Sequence, residues 1–128
     1  MHQLPQMRAA KIAIVDDDDA VREAMKLLAR SLGYHASTFA SADEFLNFEQ
    51  VDGTSFLITD VQMPGLSGIE LQDRLAARGH RIPIIFLTGY FDENLRIRAM
   101  RAGALAFLTK PIDPDQLVGH LEKALKVN

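Results

Sequence analysis

Phe56-Leu57-Ile58-Thr59-Asp60-Val61-Gln62-Met63-Pro64-Gly65-Leu66-Ser67-Gly68 joins a short apolar run to a turn rich in Gly and Pro, with a carboxylate at the junction. The run Phe56 to Thr59 predicts a short buried strand. Asp60 then sits at the mouth of that strand and opens the loop. The arrangement recurs along the chain: Asp16 and Asp17 follow the apolar segment Lys11 to Val15, Thr88 follows Ile84 to Leu87, and Lys110 follows Leu105 to Thr109. Four strand ends present an acidic pair, one acid, one hydroxyl and one amine.

Segments of helical period lie between these strands. Val21, Met25, Leu28 and Leu32 recur at steps of four, three and four, one face of a helix that Gly33 stops. Tyr34 to Phe39 is polar enough for an edge strand. Ser41 with Glu44 predicts a capping box and a short helix through about Phe48, followed by a loop over Val51 to Ser55. A third helix starts near Ser67 or Gly68, turns Leu71 and Leu75 inward and ends at Gly79. Pro83 stands at the start of a strand, where a missing N–H is tolerated. Asp92 and Glu93 suit the positive end of a fourth helix that runs to Ala102, with Gly103 as its stop. Pro114, followed by Leu117, Leu121, Ala124 and Leu125, begins a fifth.

The alternation predicts an α/β protein, a doubly wound (βα)5 sandwich with helices on both faces of a parallel sheet. Ligands of such sheets bind beyond the carboxyl ends of the strands, where strand order reverses. All the polar residues singled out above lie at those ends.

At 128 residues the chain has room for one domain, which we assign to residues 11–128, with residues 1–10 as a loose, flexible tail. Fourteen Lys and Arg against seventeen Asp and Glu give a formal charge of -3, which does not supply the basic surface of a nucleic-acid binder. The absence of cysteine excludes a disulfide framework, a thiol nucleophile and a Cys-based metal site. No run approaches the ~18 apolar residues of a membrane span, and the first residues lack the apolar core of a signal peptide. The expected setting is cytoplasmic.

Carboxylates crowded into one crevice repel one another unless a cation intervenes. Mg2+ suits the case: it takes oxygen ligands, and it binds through one or two carboxylates together with a phosphate oxygen. Asp16, Asp17 and Asp60 offer such a site. With the cation and the Lys110 ammonium balancing charge, a phosphoryl group can approach Asp60, which becomes a nucleophile that forms an aspartyl phosphate. Phosphoryl transfer then needs positioning and charge stabilisation at the equatorial oxygens. Thr88 can donate to one oxygen and Lys110 to a second, while the metal holds the third.

Four separated motifs, Val15-Asp16-Asp17-Asp18, Asp60-Val61-Gln62-Met63-Pro64 with Gly68, Leu87-Thr88-Gly89 and Lys110-Pro111, occur in order and each ends a predicted strand. Along residues 11 to 127 the chain resembles the receiver domain of bacterial two-component response regulators. That resemblance implies a flavodoxin-like sheet in the order 2-1-3-4-5 and phosphorylation of Asp60 by a sensor histidine kinase or a small phosphodonor. It implies Mg2+, with Mn2+ as a substitute, held by Asp17, Asp60, Asp16 (often through water) and the backbone carbonyl of Gln62. The Lys110-Pro111 peptide is expected to be cis, aiming the lysine into the pocket, and Phe107 matches the aromatic switch position that moves together with Thr88.

The resemblance also implies an output surface on the fourth helix, fifth strand and fifth helix, serving an output domain, a downstream protein or a homodimer formed on phosphorylation. Regulators of this branch are often joined to a helix-turn-helix output domain. A stand-alone receiver and a piece of a transcription regulator are both compatible with the sequence. Two positions depart from the commoner pattern: Ile112 stands where Phe often follows Lys-Pro, and Tyr90 with Phe91 makes the loop after Thr88 aromatic. Tyr90 is spaced to cover part of the acyl phosphate and alter its lifetime.

Taken singly, each motif has a plainer reading. Asp16 to Asp19 suits a solvated turn with Asp18 or Asp19 as a helix N-cap, and Asp60, Thr88 and Lys110 suit turns or strand ends. Their coincidence at strand ends favours the site. The four histidines show no ligand spacing and are expected at the surface or an edge. Arg96, Arg98 and Arg101 give the fourth helix a basic face, either solvated or a partner surface. Two other functions fit less well: a phosphatase with an aspartyl-phosphate intermediate, which would want a second acid where Gln62 stands, and a pseudo-receiver, which would not need the full polar set.

Overall fold

The computed structural model describes residues 10–125. Five strands, β1 (Lys11–Val15), β2 (His35–Phe39), β3 (Phe56–Asp60), β4 (Ile84–Thr88) and β5 (Ala106–Thr109), form one parallel sheet in the order β2-β1-β3-β4-β5. This is the expected receiver order. Helices α1 (Asp19–Ser31), α2 (Ala42–Leu46), α3 (Gly68–Ala77), α4 (Glu93–Arg101) and α5 (Pro114–Leu125) connect and follow them. The tail expected over residues 1–10 lies, except for Ala10, outside the described residues. Among the described residues no helix is long and apolar enough to cross a membrane.

β3 and β4 are buried at every position, whereas β2 is polar and largely accessible. A strand at the centre of a parallel sheet has helices over both faces, so the apolar run at Phe56 is uninterrupted; an edge strand tolerates His35, Ser37 and Thr38. The two faces carry separate cores. Ala13, Val15, Leu57 and Phe86 pack with α2, α3 and α4, while Ile12, Ile14, Phe56, Ile58, Ile85 and Leu87 pack with α1 and α5.

Asp18 is the N-cap that the sequence offers, the third and fourth helices start where expected, and the capping box expected at α2 differs. Asp18 accepts from the N–H groups of Ala20 and Val21, Asp92 from those of Asn94 and Leu95, and Ser67 with Glu70 forms a reciprocal capping box. At α2 the Ser41 hydroxyl caps Glu44 N–H, but Glu44 reaches past Ser41 to the N–H of Ala40, so the box is not closed on its own cap. Two boundaries also shift. α2 ends at Leu46 rather than Phe48, and Val51–Gly53, expected as loop, makes a turn of 3-10 helix. Phe48 is instead held by its ring against Phe39, at 5.0 Å between centroids, so packing and not helix fixes it.

Candidate functional site

β1 and β3 run side by side in register, Val15 opposite Thr59, so the residues that follow them emerge together. Carboxylate oxygens of Asp16, Asp17 and Asp60 lie within 4.8 Å of one another. Asp16 and Asp60 are buried, at 1% and 6% exposure, and Asp17 faces solvent. Lys110 comes from the far end of β5, where its N–H donates to Thr88 O at 2.7 Å. Its ammonium reaches back across β4 to stand 3.0 Å from Asp16 Oδ2 and 3.4 Å from Asp60 Oδ2. The Lys110–Pro111 peptide is cis, as the resemblance implies.

The loop after β3 is held close to this cluster. Val61 and Met63 are buried, and Gly68 N–H donates to Val61 O at 2.8 Å. A β-carbon on Gly68 would lie 2.2 Å from the Asp60 carbonyl oxygen, so only glycine permits that approach.

Burial pushes the Asp60 carboxyl above its ordinary pKa, and the neighbouring Asp16 charge pushes it further. Lys110 and a backbone hydrogen bond from Gln62 oppose this without reversing it. Burial alone would lower the Lys110 ammonium, but its hydrogen bond to Asp16 and the charges of Asp60 and Asp16 outweigh burial and raise it. One ammonium, paired with Asp16 and Asp60, in a cluster of three carboxylates leaves it net acidic. The donors are all oxygens, two of them buried, in the charge and geometry that a hard divalent cation accepts. On the chemistry of its donors the site fits Mg2+.

Thr88 is buried at the end of β4, yet its hydroxyl is engaged within its own turn: it donates to Tyr90 O at 2.8 Å and accepts from Tyr90 N–H at 3.1 Å. The fold thus brings Asp16, Asp17, Asp60 and Lys110 together, while Thr88 Oγ1 makes no hydrogen bond to any of them. Phe107 is half-buried, with its ring 6.1 Å from Phe86 and 6.1 Å, edge-on, from Phe91. The basic face expected on α4 is partly neutralised, since Arg96 pairs with Glu93 and Arg98 with Asp73.

Two polar residues, Arg22 and Gln72, escaped the sequence reading, and His80, expected at the surface or an edge, has a specific partner. Arg22 donates to the Asp16 carbonyl and to the Asp19 carboxylate, holding the acidic loop from α1. Its spacing of three from Asp19 is a helical charge pair, a signal present in the sequence. Gln72 is buried between α3 and α4, where its Nε2 donates to Ala99 O at 3.2 Å. His80 faces Asp52 at 3.0 Å. These last two pairings join residues 27 and 28 positions apart and have no local signature.

Residues 12–122 match the sequence model described as the response regulator receiver domain. The response regulator protein TodT of Pseudomonas putida is 43% identical over 120 residues, 94% of this chain and 53% of TodT. The transcriptional regulatory protein FixJ of Bradyrhizobium diazoefficiens is 39% identical over 117 residues, 90% of this chain and 56% of FixJ. Among solved structures, that of the response regulator StyR superposes with a TM-score of 0.85 at 41% identity, covering 94% of this chain and 61% of the StyR chain. The chain spans about half the length of the curated relatives it matches. With strand order, acidic cluster and sequence all in agreement, this chain belongs to the response regulator receiver domain family of two-component signalling.

Proposed function

We propose that the chain accepts a phosphoryl group on Asp60 from a histidine kinase, in a reaction that requires Mg2+, and signals through a change at α4 and β5. The observation that carries this reading is the Lys110 ammonium lying between Asp16 and Asp60, beside a third carboxylate. Asp16, Asp17, Asp60 and the Gln62 carbonyl would hold the cation, which when bound supplies charge neutralisation to the incoming phosphoryl oxygens. An Asp60 oxygen attacks phosphorus, and the bond from phosphorus to the kinase histidine nitrogen breaks, its electron pair leaving with the histidine. Lys110 already points at Asp60 and takes one phosphoryl oxygen as the new bond forms.

Thr88 must first release Tyr90 O to donate to a second oxygen. That exchange unties the turn leading into α4, so the chemistry at Asp60 reaches the helix through a hydrogen bond that cannot serve both acceptors at once. Phe107, packed between Phe86 and Phe91, follows the same movement as the aromatic switch. Tyr90 at 72% exposure, Phe91 at 48%, Leu105 at 41% and Met100 at 36% give the surface around α4 and β5 an apolar character suited to an output domain, a downstream protein or a second copy of the chain. With a net charge of -3 the chain itself is not the part that touches nucleic acid. We take residues 11–128 as the receiver unit, a module that works in the cytoplasm beside its kinase.

Intact mass after incubation with acetyl phosphate tests the reading. One added phosphoryl group is expected that requires both Mg2+ and Asp60, and is absent in Asp60→Asn. An adduct that persists in Asp60→Asn, or forms equally in EDTA, overturns it.

A further inference from the structure

Asp16 is fixed at four points. Its N–H donates to Phe39 O at 3.1 Å, its Oδ1 accepts from Asp18 N–H at 2.9 Å, its Oδ2 accepts from the Lys110 ammonium at 3.0 Å, and its carbonyl accepts from Arg22 Nη1. Asp17, the acid that faces solvent, makes no hydrogen bond among the described residues, from backbone or carboxylate. Its carboxylate nevertheless lies with those of Asp16 and Asp60. The two peptide planes that flank the Asp17 Cα therefore aim it.

A peptide unit is planar, and Asp16 is itself fixed, so the hydrogen bond from Arg22 to Asp16 O sets the plane before Asp17. The plane after Asp17 is set by Asp18 N–H on Asp16 Oδ1. With both planes held, Asp17 has one backbone conformation and its Cβ one direction. Arg22 can serve this purpose beside a cation site because its other nitrogen, Nη2, pairs with the Asp19 carboxylate, which offsets its charge. The planar fork of a guanidinium allows one side chain to make both contacts.

We propose that Arg22 is a positioning residue for the cation: by holding the Asp16 carbonyl it aims Asp17 towards the space beside Asp16 and Asp60, and so sets the affinity for Mg2+. This role rests on the reading of the three acids as a Mg2+ site. Charge and positioning have opposite signs here. As a charge, Arg22 repels Mg2+ and its removal tightens binding. As a positioning group its removal loosens binding, and groups that orient metal ligands are typically worth about 10–100-fold in affinity.

Backbone amide NMR of the full chain, titrated with Mg2+ at constant ionic strength, tests the role in Arg22→Met, which keeps a long apolar stem and removes the donors. The dissociation constant is expected to rise about tenfold. Lys26→Met is the control. Lys26 pairs with Glu23 at the same spacing one turn further along α1, so this variant loses the same charge and the same kind of helical pair without touching the acidic loop. Metal-free Tm registers the lost pair in both variants, whereas the Mg2+ affinity of Lys26→Met should equal or exceed that of the unaltered chain. Mg2+ bound by Arg22→Met as tightly as by the unaltered chain, or equal weakening in Lys26→Met, overturns the role of Arg22 and leaves the Mg2+ site standing. No saturable shift at Asp17, Asp60 and Gln62 in the unaltered chain overturns the Mg2+ site and the role of Arg22 with it.

Discussion

Asp60 carries its negative charge in a place that disfavours it. Burial and the Asp16 charge raise its pKa, and Lys110 does not restore the ordinary value. Between the unfolded and folded pKa values the native state holds more protons than the unfolded chain, so stability falls as pH rises through that window; above the folded pKa the deficit is full. In metal-free buffer at neutral pH, Asp60→Asn should therefore be more stable than the unaltered chain, by on the order of 1 kcal/mol. The gain should shrink as pH falls towards and below 3.8, the ordinary carboxyl value, because Asp60 is then protonated in both states. Urea unfolding of both proteins at neutral and acidic pH measures the difference. A variant less stable at neutral pH would show that the pairing with Lys110 outweighs burial. The sequence disclosed which groups meet, because each terminates an apolar run. It did not disclose the Thr88 hydroxyl's attachment to Tyr90, since a threonine at a strand end reads the same whichever way its rotamer points.

The loop between β3 and α3 is the element that turns a strand-end aspartate into a site. Gly68 begins α3 directly against the Asp60 carbonyl, and an added methyl would meet that oxygen at 2.2 Å. Backbone cannot swing aside as the tip of a flexible side chain can, so Gly68→Ala should cost about 1–3 kcal/mol and slow phosphorylation by displacing Asp60. Chemical denaturation and the rate of acetyl phosphate labelling report the two effects; unchanged stability would mean that the loop is looser than its contacts imply. Asp18 is a milder case. It caps α1 through Ala20 and Val21, and Asp18→Ala should cost about 1 kcal/mol without removing any group that faces Asp60. The starts of α1, α3 and α4 were legible because the signals that begin a helix are local chemistry, written within four residues. The end of α2 was not, because Phe48 leaves the helix to pack on Phe39, a contact made across the sheet edge.

On the scale of the whole molecule, the parallel sheet gathers its acids at one pole and leaves them short of compensating charge. Anything that binds the native cluster and not the unfolded chain adds stability in proportion to the logarithm of its saturation. Mg2+ at a hundredfold excess over its dissociation constant should contribute about 2.7 kcal/mol, or about 10 °C in Tm for a chain of this size. Because the unfolded chain scatters Asp16, Asp17 and Asp60 along the sequence, the increment belongs to the fold. Asp16→Asn combined with Asp60→Asn leaves Asp17 alone among the three, so in that variant the Mg2+ increment should fall close to zero while the metal-free Tm is equal or higher. Differential scanning fluorimetry of both proteins across a Mg2+ series, with NaCl at matched ionic strength to remove general screening, separates the cases. An equal rise in the double variant would place the cation elsewhere and leave Asp16 and Asp60 as buried acids held by Lys110 alone. A rise confined to the unaltered chain would tie the acidity at the pole, the raised pKa of Asp60 and the stability of the sheet to a single bound ion.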